Sequence, residues 1–296
     1  FIDNVKSNSI ACGLNEILTY SFVSPRGVDK INLPADDEKR NFVKIMNPLG
    51  EETSVMRTTL IPNMLDVIST NISHKVEEVS AFECGNTFIP QEGLPIETKK
   101  YCVGMYGKEV DFFVLKGVIE SVLNNVGLKG YEIEPETTNL TFHPGRCAKI
   151  VYNNIYIGTF GELHPDVIEN YNLGQRVYVA EINIDTVFEN LNLTKSYNPL
   201  PKYPSTSRDI ALIVKDEVFV KQIEDIIKAN GEDLVESYKL FDVYKGAQIE
   251  EGHKSIAYSI TYRSKDKTLT DEDVAKVHEK ILSELSEKLN ANLRSN

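Results

Sequence analysis

Residues 158–166, with the sequence GTFGELHPD, contain two side chains that could do chemistry. Glu162 and His164 stand two positions apart beside Gly161 and Pro165, so a carboxylate and an imidazole accompany a tight turn. Such a pair can act as a general acid and base or supply half of a metal site. The same stretch is equally compatible with a former active site that has lost its chemistry.

His143 and Cys147 could join Glu162 and His164 in a metal site. Metal ligands usually come in tight pairs such as CxxC or HExxH, whereas each pair here surrounds a proline or glycine turn. Arg146 in the sequence HPGR could contact a phosphate, but a single arginine beside a turn more often braces backbone carbonyls. These residue types favour a structural role, and we expect no metal.

The length and composition are those of an ordinary globular protein with two domains. A chain of 296 residues can bury two cores without disulfides, and its four cysteines form no CxxC pair. No apolar run reaches about 18 residues and no charged-then-apolar leader opens the chain, which favours a cytoplasmic protein without membrane contact. Because Phe1 enters a helical pattern directly, we expect the chain to be the tail of a longer protein.

The net charge of −12 argues on average against a nucleic-acid partner, because phosphate contacts need lysine and arginine. That argument concerns the whole surface only. One face with a different composition can still bind RNA.

A proline-rich connector divides the chain at residues 196–208, with the sequence SYNPLPKYPSTSR. Pro199, Pro201 and Pro204 disfavour a regular helix and favour an extended segment. The sequence therefore predicts one domain over 1–196 and another over 197–296.

Hydrophobic periodicity gives a clear order of elements in the second domain. RDIALIV predicts a strand, a stripe from Phe219 to Ile227 predicts a helix, and LVESYKLFDVYKG predicts a strand. SIAYSITYR alternates with period two, and Thr270 precedes a long amphipathic helix. With a short last strand at 291–294, the order is that of a ferredoxin-like βαββαβ domain.

The first domain has less regular patterns. Strands are predicted at 16–25, 78–90, 101–107, 147–163 and 177–184, and helices at 60–75 and 111–128. Many antiparallel-looking strands with few helices favour an α+β sheet domain.

Several segments together resemble a known family. NPLGEETSVMRTTLIPNML, FECGNTF, FHPGRCAKI and GTFGELHPDV, followed by SRDIALIV, LFDVYKG and KTLTDEDV, are similar to the C-terminal part of the beta subunit of bacterial phenylalanyl-tRNA synthetase. The resemblance implies an antiparallel-sheet domain of the class II synthetase type, followed by a ferredoxin-fold anticodon-binding domain.

The resemblance also implies that this part of the enzyme is not catalytic. A class II synthetase holds ATP with arginines, one of them in a glycine-rich motif, but nothing here resembles GxGxxR. We therefore expect no catalytic residue and no cofactor in this chain, with ATP and magnesium required by the whole ligase. The implied partners are phenylalanine tRNA and an alpha subunit that supplies the active site within a dimer of alpha–beta pairs. Segments 53–72 and 111–126 are candidates for supporting the alpha interface.

For the second domain the resemblance implies anticodon contacts in the sequences FDVY and GHKS. The matching residues are Asp242, Tyr244 and Ser255. Strand alternation puts Asp242 and Tyr244 on one face of their strand and Phe241 and Val243 on the other face. Without the resemblance, a solvent-facing aspartate and a packed tyrosine would be the simpler interpretation. Candidate phosphate contacts are Lys245, Lys254 and Arg263.

Two alternatives remain open from the sequence. One is a stand-alone ligase or metal-dependent hydrolase that uses His143, Glu162 and His164. The other is a synthetase paralogue whose ferredoxin-like tail senses a small ligand.

Overall fold

The computed structural model describes residues 1–191, 193–194, 197, 199–246 and 248–294. The chain divides into two compact units, Phe1–Lys195 and Ser196–Asn296. Ser196 and Asn198, within the predicted connector, lie outside the described residues. Each unit buries hydrophobic side chains of its own. Among the described residues, no helix is long and apolar enough to cross a membrane.

The first unit is built on one seven-stranded sheet. Its elements are α1 (Ile2–Ala11), β1 (Asn15–Glu16), β2 (Phe22–Val23), α2 (Gly27–Lys30), β3 (Val55–Met56), α3 (Ile61–Ser73), β4 (Val79–Ile89), β5 (Ile96–Tyr106), α4 (Phe112–Val126), β6 (Glu132–Pro135), β7 (Phe142–Tyr152), β8 (Ile155–Leu163), α5 (Pro165–Asn170), β9 (Tyr178–Asn183) and α6 (Ile184–Glu189). The strand order is β1-β4-β5-β9-β8-β7-β6. Among these described strands, only β1 and β4 pair in parallel.

Helices cover both faces of this sheet. On one face α4 buries Leu115 and Ile119 against Phe160 of β8. On the other, α3 buries Met64 and Leu65 in a second core. Both helices place an apolar stripe inward at a spacing of three to four residues, as expected for helices that pack on a sheet.

The predicted strand at 16–25 is wrong. The structure has only the short strands β1 and β2 there, and Leu18 and Tyr20 between them are exposed. The alternation that predicts a strand is present, but a strand also needs a hydrogen-bonding neighbour, and the described chain supplies one only at the two ends of this segment.

The predicted strand at 147–163 is two strands, β7 and β8, joined as a hairpin. Asn153 and Asn154 form the turn with φ values of 48° and 65°. Two consecutive residues in the left-handed region make a turn whose twist matches the strands, and asparagine tolerates that region well. The pair Asn-Asn was the sequence signal for this turn.

The second unit has the predicted ferredoxin-like order. Its elements are β10 (Thr206–Lys215), α7 (Val220–Asn230), β11 (Val235–Tyr244), β12 (His253–Tyr262), α8 (Asp271–Leu289) and β13 (Asn292–Leu293). The strands pair antiparallel in the order β11-β12-β10-β13. Both helices share one core with Ile256, Tyr258, Ile260 and Tyr262 of β12.

Local signals at the two helix starts have different outcomes. Thr270 accepts a hydrogen bond from the Asp273 backbone N–H at 3.2 Å, so the predicted cap of α8 is present. Phe219, predicted within the buried stripe of α7, instead precedes the helix and is exposed. The buried stripe begins at Ile223, because the chain is not yet helical at residue 219.

Candidate nucleic-acid interface

One face of the second sheet is free of helices and carries the predicted anticodon residues. Asp242 lies directly opposite Ala257, and Tyr244 opposite Ser255. Directly opposed residues share a face of an antiparallel pair, and the alternate residues of β12, Ile256 and Tyr258, lie in the helix-covered core. Asp242, Tyr244 and Ser255 therefore lie together on the open face.

A β-bulge interrupts strict alternation next to these residues. Leu240 pairs with Tyr258 and Asp242 with Ala257, which leaves Phe241 as an extra, unpaired residue. A bulge sets two residues against one, so the register does not assign Phe241 to either face. Val243, paired with Ile256, lies on the face away from Asp242, as predicted. Phe241 is 54% exposed. A bulge also bends and twists the strand, which presents Asp242 at the sheet edge.

Asp242 is an exposed carboxylate. In the part of the chain that the structure describes, it has no hydrogen bond and no ion pair. Both of its oxygens can accept hydrogen bonds from a ligand.

The Tyr244 ring has two close neighbours. A Cβ added to Gly246 would lie 2.5 Å from the Tyr244 hydroxyl oxygen and 2.8 Å from Cζ. The guanidinium carbon of Arg294 lies 5.6 Å from the ring centroid, within cation–π range. The ring is thus positioned before any ligand binds.

Gly246→Ala is expected to displace the Tyr244 ring and to weaken RNA binding without lowering stability. Its new methyl group would overlap the hydroxyl end of the ring, and that flexible end is what must move. The measurements are tRNA binding and thermal unfolding. Gly50→Ala is the control, because a Cβ at Gly50 meets no atom within 4 Å. Unchanged RNA binding by Gly246→Ala would show that the position of this ring is unimportant.

Ser255 is the buried residue of the candidate site. It lies between Tyr244 on one neighbouring strand and Ile213 on the other, and it is 3% exposed. The sequence correctly predicts on which face of the sheet Ser255 lies, but it does not predict how deeply the side chain is buried.

Arg294 is a member of the site that the sequence reasoning missed. Its backbone N–H donates to the Ala211 carbonyl at 2.9 Å, and Nη2 donates to Gln248 Oε1 at 3.0 Å. Its guanidinium lies over Tyr244 although β12 and β10 separate the two backbones. The signal in the sequence was a basic residue at the end of the predicted last strand, 291–294.

The three predicted phosphate contacts do not lie together. Lys245 forms an ion pair with Asp216, and Lys254 donates to the backbone carbonyl of the same residue at 2.8 Å. Burial lowers the pKa of Lys254, and the Asp216 carboxylate partly opposes this. Arg263 lies at the other end of β12, about 30 Å away at the usual rise per strand residue. There its Nε donates to Glu236 Oε1 at 2.9 Å.

Glu162, in the first unit, lies in an ion pair. Arg146 Nε and Nη2 donate to the two oxygens of Glu162 at 2.6 Å and 2.8 Å. Burial is the largest single influence on Glu162 and disfavours its charge. The hydrogen bonds and charge of Arg146, together with the charges of Arg176 and His143, outweigh burial and lower the pKa of Glu162. Two parallel hydrogen bonds of this kind are strong and hold both side chains fixed.

His164 precedes helix α5, where its Nδ1 accepts from the Asp166 N–H at 3.2 Å. His143 Nδ1 similarly accepts from the Gly145 N–H at 3.0 Å. Within the described residues, no three histidine, cysteine, aspartate or glutamate side chains are arranged to hold a metal. The visible roles of these residues are local turns and caps.

Comparison with known proteins decides the family. Residues 1–184 match the family model described as "Phenylalanyl tRNA synthetase beta chain CLM domain". The chain belongs to the phenylalanyl-tRNA synthetase beta chain family. Residues 201–294 match the model "Ferredoxin-fold anticodon binding domain". The resemblance drawn from the sequence is confirmed, and the comparisons support neither alternative function.

Relatives named "Phenylalanine--tRNA ligase beta subunit" cover nearly all of this beta-chain sequence. Those of Clostridium tetani and Clostridium acetobutylicum are 47% identical over 295 residues, which is 99% of this chain and 37% of each relative. That of Symbiobacterium thermophilum is 38% identical over 298 residues, covering 96% of this chain and 33% of the relative. This chain therefore spans little more than a third of their length.

A solved structure supports the predicted fold. The crystal structure of pyrrolysyl-tRNA synthetase from Desulfitobacterium hafniense matches with a TM-score of 0.52 and 11% identity, over 63% of this chain and 66% of that one. Likeness at this identity concerns the fold alone. The predicted α+β class, with a synthetase-like sheet domain and a ferredoxin-like domain, is confirmed.

Proposed function

We propose that this chain is the non-catalytic part of a phenylalanine–tRNA ligase beta subunit that binds the anticodon of phenylalanine tRNA and docks on the alpha subunit. The observation that carries the proposal is the free Asp242 carboxylate beside the Tyr244 ring. Both lie on the open face of a domain that matches the anticodon-binding model. The assembly is a dimer of alpha–beta pairs in the cytoplasm.

Asp242 reads the guanine at the first anticodon position. The Watson–Crick edge of guanine presents two adjacent donors, N1–H and the N2 amine, and one carboxylate can accept both. Adenine instead presents an acceptor at N1, which a carboxylate repels. Single-stranded bases are read in this way when they are splayed out and stacked on aromatic side chains. Tyr244 supplies the stacking surface.

Arg294 and Ser255 complete the site in this proposal. The Arg294 guanidinium can stack with a base or pair with a phosphate, and it is already held over Tyr244. The Ser255 hydroxyl can donate or accept a hydrogen bond. Lys245 and Lys254 lie near the same end of β12 and serve the phosphate backbone. Arg263 contacts a different part of the tRNA, since it lies at the far end of that strand.

Catalysis belongs to the alpha subunit, where ATP and magnesium are used. The arginines of the first unit are already engaged: Arg26, Arg40, Arg57, Arg146 and Arg176 each form an ion pair with a carboxylate of this chain. Arg57, almost completely buried with Glu83, and Arg146, held by two hydrogen bonds to Glu162, are poor clamps for ATP phosphates. We therefore expect the chain alone to bind no adenylate.

An exposed apolar surface provides the docking site for the alpha subunit. We call the side chains of Leu18, Tyr20, Phe22, Met46 and Leu49 the apolar edge. All five are exposed, and β3 links their two segments, because it pairs with β2 and with Lys44. Exposed apolar side chains that cluster on a surface commonly mark a protein interface. The segments 53–72 and 111–126 contribute less than expected, because α3 and α4 bury most of their apolar side chains in this chain's own cores.

Leu49→Asp is expected to abolish copurification with the alpha subunit, because it introduces a charge into the apolar edge. Leu94→Asp is the matched control, since Leu94 is an equally solvent-exposed leucine outside this surface. The measurement is recovery of a tagged alpha subunit coexpressed with each variant. Equal recovery with both variants would rule out the apolar edge as the interface. Robust ATP–pyrophosphate exchange by the chain alone would overturn the non-catalytic assignment.

A further inference from the structure

A cavity lies on the α3-covered side of the first sheet. Its volume is about 260 Å³. The residues that line it come from the segment between α2 and α3, the start of α3, the loop before β7, the start of β7, and β8 and β9. Since one water takes about 30 Å³ in the liquid, the space suits a small organic molecule.

Glu181 is a fixed carboxylate in the cavity wall. Its Oε1 accepts a hydrogen bond from Thr59 Oγ1 and another from the Leu60 N–H, each at 2.7 Å. The Leu60 N–H lies at the start of α3, where a negative charge is favoured by the helix dipole. The other oxygen, Oε2, has no hydrogen-bond partner in the described chain.

Among the described residues, no lysine or arginine forms an ion pair with Glu181. Lys100 lies nearby on β5; burial lowers its pKa, and the charge of Glu181 opposes the change. The directly opposed residue of β8 is Thr159. Its hydroxyl is hydrogen-bonded to the Tyr156 hydroxyl at 2.7 Å, so these two residues add uncharged polar groups to the lining.

The rest of the lining has a definite character. The lining contains three carboxylates, Asp37, Glu136 and Glu181, and one lysine, Lys39. It also contains apolar side chains, of which Ile31, Leu33 and Phe142 are buried and Leu140 is exposed. Pockets of this kind bind a ligand through apolar burial and orient it with a few polar groups.

From these features we propose that the cavity binds a small molecule with a protonated primary amine and an apolar body. The ammonium group donates to the open oxygen of Glu181, and the body packs against the apolar part of the lining, in which Leu140 is the exposed side chain. A charge-assisted hydrogen bond to a fixed carboxylate is the strongest polar contact that this lining offers. The site does not depend on anticodon binding or on the alpha subunit.

Free amines and α-amino acids share this chemistry, and a titration distinguishes them. The probes are phenethylamine, L-phenylalanine and phenylacetate, each added to the 296-residue chain with labelled isoleucine methyl groups. We expect phenethylamine to shift the methyl resonances of Ile31 and Ile61 saturably. Phenylacetate, which lacks the amine, should not. If L-phenylalanine also shifts them, the carboxylate is tolerated and amino acids are included among the ligands; if it does not, the ligands are free amines.

Two variants test the assignment to Glu181. Glu181→Gln keeps an acceptor for Thr59 and Leu60 but removes the charge, so we expect phenethylamine binding to weaken by about tenfold or more. Glu134→Gln is the control, because Glu134 is paired with Lys149 at 3.1 Å and does not line the cavity. Leu140→Trp, at an exposed lining position, should block binding without a change of charge.

The proposal is overturned if phenethylamine causes no saturable shift at Ile31 and Ile61 up to about 10 mM, a concentration that would detect even weak millimolar binding. It is also overturned if Glu181→Gln and Glu134→Gln bind the amine equally. Shifts confined to isoleucines of the second unit would likewise contradict it.

Discussion

Asp242→Ala is expected to remove most of the preference for guanine over adenine at the first anticodon position. The carboxylate accepts two adjacent hydrogen bonds from guanine, whereas adenine offers only its N6 amine beside the N1 acceptor. At least one hydrogen bond to a charged group is therefore lost with adenine, and such a bond contributes about 1.5–3 kcal/mol. That range corresponds to about a 10- to 150-fold loss of discrimination. Because Asp242 has no partner in the described chain, its removal should leave the fold intact.

The measurement is binding of tRNA with G or A at that position by the assembled synthetase at fixed salt, since phosphate contacts make all affinities salt-dependent. Asp209→Ala is the matched control. Asp209 is exposed on the same open face, opposite Ser259, and its loss changes the net charge equally. An unchanged ratio of G to A binding in Asp242→Ala would mean that the base is read elsewhere on this domain.

Tyr244 distinguishes stacking from base reading at the same site. Tyr244→Ala should weaken binding of both tRNAs by about 1–3 kcal/mol, because stacking on an aromatic ring does not depend on the identity of the base. Tyr244→Phe keeps the ring and should bind normally. A selective loss for one base in Tyr244→Ala would contradict this division of roles.

The largest effect on stability is expected at Arg57. Arg57 and Glu83 are almost completely buried, with 3% and 1% of their side chains exposed, and Arg57 Nη1 lies 3.0 Å from Glu83 Oε1. Arg57 Nε also donates to the Asn86 carbonyl at 2.9 Å. Arg57→Met leaves the Glu83 charge buried without its cation, which destabilises a fold by about 3–5 kcal/mol.

Urea-induced unfolding of the first unit, followed by circular dichroism, measures this effect. Lys116→Met is the control: Lys116 pairs with Glu120 on the surface of α4, and such pairs contribute about 0.3–0.5 kcal/mol. Glu83→Gln added to Arg57→Met should restore part of the lost stability, because it removes the unpaired charge. A double variant less stable than Arg57→Met would show that the buried charge is not the cause.

The buried pair illustrates what a sequence pattern leaves open. Arg57 and Glu83 are far apart in the chain, and each could have been a solvent-exposed or phosphate-binding residue from its local sequence alone. Arg146 and Glu162 are similar: Glu162 was a candidate acid or base until its partner across the β7–β8 hairpin was known. A charged side chain takes its role from the partner that the fold brings to it.

The sequence by itself determined the architecture of the second unit, because its signals are local. Period-two alternation in β12 sets which residues face the helices, and Thr270 with Asp273 sets the start of α8. The same alternation placed Asp242, Tyr244 and Ser255 on one face. The family could likewise be recognised from motifs in chain order.

Only the tertiary structure decided the features that need contact between distant segments. The bulge at Phe241 depends on the register between β11 and β12, and Arg294 reaches Tyr244 because β13 closes the other side of the sheet. Segment 16–25 has strand periodicity, but along most of its length the described chain provides no neighbouring strand to pair with it. Hydrophobic pattern is encoded residue by residue, whereas register, ion pairing and edge pairing depend on which distant groups the folded chain brings within a few ångströms of each other.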